Sequence, residues 1–309
     1  MPPNSPSDTP NPSTSLLSRF SSEIAILVAT AAPSTVSISI KDHMASGFLW
    51  RPDVVVAPSE AIDADHGSEI TVETHSGPVQ MKLAGRDPST DIAILTAASP
   101  AGTSLPLATA TPVHVGEAAI VAARSRHGVS CAVGFVSLAG GPWESMRGGK
   151  IEQRITLATR LEPNQEGGPV LNAGGACIGM AVLGPRRRTL VIPAATIERI
   201  APDLLQNGRI KRGYLGVAGQ PIRLQTTAAL GEPKIGLLVL RLDTGGPAQH
   251  AGILQGDIIT SIAGKPIGSP SHLRRSLGPD TVGHTVPCAI IRAGQPVTLD
   301  VAVTERQSR

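Results

Sequence analysis

The sequence predicts a mostly β protein: an all-β barrel or sandwich followed by a smaller α+β unit. Three observations predict it. Gly and Pro are abundant, 33 and 27 of 309 residues, which favours many short strands joined by tight turns over long helices. Apolar runs, mostly about four to eight residues long and bounded by Gly, Pro, Asp or Ser, follow one another from Thr35 to Pro193. After Pro193 the texture changes, and strands begin to alternate with short helical segments.

Taken in order, residues 1–15 are rich in Pro, Ser, Thr and Asn and read as a disordered tail. From Ser15 to Ala32, Leu16, Leu17, Phe20, Ile24 and Leu27 fall at helical spacings, and Pro33 ends the helix. The strands then run "TVSISI", "SGFLW", "DVVVAP", "EITVET", "VQMKLAG", "DIAILTA", "AAIVAA", "CAVGFVSLA", "RITLAT", "GPVLN", "CIGMAVLG" and "TLVIP". "AATIERIAPDLLQNG" reads as a helix stopped by Gly208, and as the link between domains. The boundaries expected are a tail over 1–15, a first domain over 16–200, the end of the linker helix over 201–212 and a second domain over 213–306. No repeat with a period of tens of residues occurs, which argues against a solenoid or propeller.

Composition narrows the function. The chain is 41% apolar but only 2% aromatic, so its cores must be aliphatic. A net charge of +3 is too small to argue for nucleic acid. Arg186-Arg187-Arg188 is the sharpest basic run, and a solvated loop explains it more simply than a phosphate site. Cys131, Cys177 and Cys288 are far apart and match no metal spacing, so they read as buried free thiols. Neither a metal nor another cofactor is implied. The start lacks a basic n-region, and "IAILVATAA" is too short to span a bilayer. On sequence, a cytoplasmic protein without a membrane span is expected.

Three segments carry the chemistry: "SGFLWRPDVVVAPSEAI" from Ser46, "GRDPSTDIAIL" around Asp91 and "LEPNQEGGPVLN" around Glu166. In this order they resemble the histidine, aspartate and serine segments of the HtrA/DegP branch of the trypsin-like serine proteases. The resemblance extends from about residue 16 to the end of the chain. It implies a chymotrypsin-like double β-barrel with the site between two six-stranded barrels. The aspartate position is kept as Asp91. Glu60 stands where the family has histidine, Glu166 where it has serine, and Asn164 where it has the glycine that helps form the oxyanion hole.

Each replacement costs the mechanism something. Glutamate cannot serve as the alcohol nucleophile of an acyl-enzyme. A carboxylate base has an ordinary pKa of ~4.3, against ~6.5 for imidazole. A negative Glu166 repels the developing oxyanion, and loss of one oxyanion donor alone costs on the order of 10²–10³ in rate. The resemblance with these departures therefore implies a degenerate centre, made of Glu60, Asp91, Glu166 and Asn164. Clustered acids attract a cation or raise one another's pKa, but neutralisation by Arg160 or Arg154 in a silent cleft is the simpler expectation. Of His43, His66, His75, His114 and His127, none sits in a motif that places it. His127, in "RSRHGVS", is the one suspect for a relocated base. Ser59 adjoins the base position but is not where the nucleophile belongs.

"GLLVLRLDTGGPAQHAGILQGDIITSIAGKPI", from Gly236 to Ile267, resembles the signature half of a PDZ domain. "GYLGV" (Tyr214, Leu215, Gly216, Val217) matches that family's carboxylate-binding loop, where small residues let backbone N–H groups face a peptide terminus. "PSHLRRSLG" is the helix walling the groove, with Leu273 and Leu277 as pocket candidates. The partners implied are extended peptides or protein C-termini, with a homotrimer assembled through Leu16 to Leu27. The family is often periplasmic or membrane-anchored. The role expected is that of a pseudoprotease acting as scaffold, regulator or chaperone-like factor. The rival is an active endopeptidase with a non-standard centre.

Overall fold

The computed structural model describes residues 15–40, 43–224 and 235–305, so all but Ser15 of the tail expected over 1–15 lies outside them. Helix α1 (Leu16–Ala31) is capped by Ser15, whose hydroxyl accepts the Ser18 N–H at 3.0 Å. Its packed stripe is Ile24, Leu27, Val28 and Ala31, set against Ile120, Ala122, Leu171 and Cys177. Leu16, Leu17 and Phe20, expected on the same face, are exposed; only the i, i+3, i+4, i+7 set reaches the barrel. The nine-residue run "IAILVATAA" is short, yet the helical stretch around it, Leu16–Ser34, is long and apolar enough to cross a membrane by length and composition alone.

Strands β1 (Thr35–Ile40), β2 (His43–Arg51), β3 (Val54–Ala57), β4 (Glu69–Thr74), β5 (Gly77–Asp87) and β6 (Ile92–Thr96) close a barrel in the order β1-β2-β3-β6-β5-β4. The β1–β4 seam pairs Ile38 with Val72. Inward positions are aliphatic, among them Val36, Leu49, Val55, Met81 and Leu95, and all are buried. The alternation of buried and exposed residues along β4 is what closure of a half-wetted sheet requires.

The second barrel has the order β11-β14-β13-β12-β7-β8. Its strands are β7 (Ala118–Ser125), β8 (Gly128–Ala139), β11 (Ile155–Leu157), β12 (Pro169–Asn172), β13 (Cys177–Leu183) and β14 (Thr189–Pro193), with the small hairpin β9 (Trp143–Glu144) and β10 (Lys150–Ile151) between β8 and β11. Along β8, Val129, Cys131, Val133 and Phe135 point outward. Cys131 is therefore exposed, not buried as composition suggested; its odd register on this strand decides that. Cys177 and Cys288 are buried, and burial pushes both thiols up to about 12.

Helix α2 (Ala194–Asn207) ends at Gly208, which is left-handed (φ 69°) and returns its N–H to the Leu204 carbonyl at 3.0 Å. It is a strut of the first unit rather than a free linker. Ile197, Ile200, Ala201 and Leu204 are buried. Gly85 of β5 lies directly beneath its C-terminal end: a Cβ there would stand 2.6 Å from the Leu204 carbonyl oxygen. The Trp50 indole N–H donates to Glu198 at 3.1 Å, and the Arg51 guanidinium covers the Trp50 ring at 4.1 Å.

The second compact unit comprises Arg209–Arg309 with Glu144–Lys150. Its main sheet runs β16 (Val217–Arg223), β17 (Ile235–Leu242), β18 (Ile258–Ile262), β20 (Thr285–Arg292), β21 (Gln295–Ala302), with β19 (Lys265–Pro266) beside β18. Strand β15 (Gly213–Tyr214) pairs with β22 (Thr304–Glu305). Helices α3 (Pro247–His250) and α4 (Pro270–Ser276) complete the unit, and its core gathers Leu215, Leu237, Ile259, Leu273, Leu277 and Ile290. Asp257, 2% exposed, is held by Arg292 through Nε at 2.9 Å and Nη2 at 2.8 Å, and accepts the Leu254 N–H at 2.7 Å. The guanidinium lowers the Asp257 carboxyl below its usual range.

Candidate functional site

The loop between β11 and β12 is fixed by its backbone. Pro163–Gln165 form a single 3₁₀ turn in which the Glu162 N–H donates to the Gln165 side chain at 2.9 Å. Gly167 has φ +89°, and a Cβ on it would lie 2.0 Å from the Ser46 carbonyl oxygen. Ser46 of β2 is the clamp. Its N–H donates to the Glu166 carbonyl at 2.7 Å, and its hydroxyl donates to the Asn164 carbonyl at 2.7 Å while accepting the Arg124 N–H at 2.9 Å. Three segments that the chain keeps far apart thus meet at one buried serine.

Glu60 follows β3 and is exposed, and its N–H donates to Asp91 Oδ1 at 2.9 Å. The Asp91 carbonyl accepts the Ser59 N–H at 3.3 Å. Glu166 turns its carboxylate onto β13, where Oε1 accepts the Leu183 N–H at 3.0 Å. Burial raises the Glu166 carboxyl above the usual range, and the charge of Glu60 adds to this; the Leu183 N–H and Arg187 pull the other way. The structure therefore brings Glu60, Asp91 and Glu166 near one another. Asn164 lies in the same loop, its side-chain amide donating to the Ser130 hydroxyl at 3.2 Å. The buried Ser59 hydroxyl has no hydrogen-bond partner among the described residues.

The cation whose charge acts on the Glu166 carboxylate is Arg187. Arg154 lies over the Trp143 ring at 5.5 Å. Three of the histidines have partners outside this group of acids. His75 Nδ1 is 3.3 Å from Arg124 Nη2, His114 bonds Glu117 at 2.9 Å and His127 accepts from Arg126 at 3.0 Å. His66 abuts Gly208, and the side chain of His43 is outside the described residues. No group of three or more His, Cys, Asp or Glu side chains among the described residues is placed to hold a metal ion.

In the second unit, Gly216 has φ +74°, and its carbonyl accepts the Asp243 N–H at 2.8 Å. The Leu215 carbonyl accepts the Ala248 N–H at 2.9 Å, and the Tyr214 hydroxyl donates to Asp243. These bonds present the loop to the start of β16, which lies at the sheet's edge. Leu273 and Leu277 are 6% and 5% exposed and pack with Leu215 in the core. Leu273 within α4 and Leu277 at its end both face the core.

Residues 45–180 match the trypsin-like peptidase domain family and residues 213–303 the PDZ domain family. The chain is similar to the DegP-like and HtrA-type proteases. The HtrA-like chain is 28% identical over 269 residues to a probable periplasmic serine endoprotease DegP-like of Rhizobium meliloti (strain 1021), covering 84% of this chain and 52% of that protein. It is 27% identical over 251 residues to the periplasmic serine endoprotease DegP of Salmonella typhimurium, covering 78% and 52%. It thus spans about half the length of the curated relatives it matches, 52% in both cases. A serine endoprotease from Yersinia pestis shares its fold at TM-score 0.72 and 23% identity, over 92% of this chain and 98% of that one. The HtrA-type protease AlgW with a decapeptide does so at TM-score 0.71 and 19% identity, over 93% and 99%.

Sequence reasoning missed Leu183, Ser46 and Arg187. Leu183 acts through a backbone N–H, which no side chain advertises. Ser46 left a signal: a small polar residue amid an inward apolar run needs partners. Arg187 is readable only once β13 and β14 are paired.

Proposed function

We propose that this HtrA-like chain binds extended peptides or protein C-termini through its PDZ domain and does not cleave by the serine mechanism, serving as scaffold, regulator or chaperone-like factor. The observation that carries the reading is Glu166: it occupies the position that resembles the family's nucleophile, and its carboxylate is spent on the Leu183 N–H. A carboxylate there offers no alcohol to attack a carbonyl, and its charge opposes an oxyanion. Asn164 holds the neighbouring turn through Ser46 and Ser130. In the PDZ domain, the edge position of β16 and the left-handed Gly216 suit addition of a peptide strand whose terminal carboxylate faces the Tyr214–Val217 loop. The exposed Leu16, Leu17 and Phe20 of α1 are the surface through which a trimer would form.

Fluorescence polarisation with a library of C-terminal peptides tests the binding half. Saturable binding that Gly216→Trp abolishes is expected, and no binding by any peptide defeats it. Casein hydrolysis and fluorophosphonate labelling test the other half. Neither is expected, and turnover abolished in Glu166→Ala would establish an enzyme instead.

A further inference from the structure

The β13–β14 hairpin ends in a tip of three exposed arginines beside the Glu166 carboxylate. Arg186 and Arg187 both hold left-handed backbones, φ 59° and 55°, a conformation non-glycine residues rarely adopt. The tip is closed by the Gly184 N–H donating to the Arg188 carbonyl at 2.8 Å. Among the described residues, none of the three guanidinium groups makes a close ion pair or a side-chain hydrogen bond. At the hairpin's base the Thr189 hydroxyl donates to the Thr159 carbonyl at 2.7 Å, which sets exposed Arg160 in the neighbouring strand connection.

The ladder beside this tip is informative. Strand β12 pairs with β13 at Pro169–Met180, and Gly167 and Gly168 continue the pairing onto Ala181 through bonds of 2.7 and 2.9 Å. The next outward donor, the Leu183 N–H, is met by the Glu166 carboxylate at 3.0 Å. A side-chain carboxylate thus stands where a strand carbonyl would, directly below the arginine tip. It shows what chemistry that edge accepts.

We propose that Arg186, Arg187, Arg188 and the Leu183 N–H form a docking surface for an acidic extended segment of a partner protein, with Glu166 as its resident competitor. An Asp/Glu-rich strand satisfies the tip's cations and can displace Glu166 from the ladder donor. Glu60, Asp91 and Glu166 repel such a segment, which confines it to the arginine tip. This surface does not depend on the PDZ reading.

The test is fluorescence anisotropy with a fluorescein-labelled deca-glutamate amidated at its C-terminus, so that no terminal carboxylate is offered to the PDZ loop. Expected are saturable, salt-sensitive binding by the full chain, weakening by about tenfold or more in the Arg186→Ala/Arg187→Ala/Arg188→Ala variant, and tightening by about threefold in Glu166→Ala. Circular dichroism confirms that both variants fold; Arg186→Lys/Arg187→Lys/Arg188→Lys, which keeps the charge, is expected to retain most of the binding. Unchanged affinity in the triple alanine variant, unchanged or weaker affinity in Glu166→Ala, or equal binding of a single-stranded oligothymidylate overturns the proposal.

Discussion

Gly167 admits no side chain. Its positive φ and the 2.0 Å approach of the Ser46 carbonyl to a Cβ act together, so Gly167→Ala should destabilise the first unit by about 3 kcal/mol, read by urea unfolding. At Cys131 the outward register on β8 predicts that one thiol of three reacts with Ellman's reagent in the native protein, while Cys177 and Cys288 react only after unfolding. Reaction of more than one thiol in the folded state would contradict the assigned burial. At this scale the motifs around Glu60, Asp91 and Glu166 were enough to expect the three acids to converge, and the structure has them near one another. Thiol burial was not legible, because one step in strand register inverts it. Nor was the cation near Glu166, which depends on how side chains turn after the backbone is set.

The strands of both barrels were readable because each short apolar run is punctuated by turn residues, and α1 and α2 because their apolar spacing is helical. What the spacing omitted was the partner. Helix α2 carries an amphipathic face in the sequence, but nothing in "AATIERIAPDLLQNG" says that its end rests on Gly85 of β5. The contact is backbone on backbone. Gly85→Ala is therefore expected to cost about 2–3 kcal/mol and to lower the melting temperature of the first unit, measured by calorimetry; a neutral substitution would mean that α2 can lift away. For α1 the sequence showed apolar spacing but not which part of the helix meets the barrel. Leu27→Asp, within the packed stripe, should destabilise far more than Leu17→Asp on the exposed side, a difference that thermal melts resolve.

Over the whole chain, the two units carry carboxylates with opposite pH signatures. Asp257 has a folded-state pKa lowered by Arg292, so its contribution is complete above the unfolded value of ~3.9 and is lost as pH falls through the folded value. Asp257→Asn should cost the C-terminal unit about 2 kcal/mol at neutral pH, the partial exposure of Arg292 moderating the effect, and should remove that acid limb from a pH series of urea melts. Glu166 is the reverse: its raised pKa means that the first unit is less stable above the folded value and recovers as pH falls toward the unfolded value of ~4.3. Glu166→Gln should flatten that limb and stabilise the unit at neutral pH; an unchanged pH profile would show that the carboxylate is solvated. The two-part organisation was visible from the change of texture after Pro193, whereas the inclusion of Glu144–Lys150 in the second unit was not, since it rests on contacts between residues distant in sequence, such as Arg275 with Glu144. The scarcity of aromatic rings has one last use. Both indoles, Trp50 beside Glu198 and Trp143 beneath Arg154, belong to the first unit, and the only phenol, Tyr214, stands in the loop facing β16. Each half is born with its own fluorophore, so emission spectroscopy can follow the two separately without any dye.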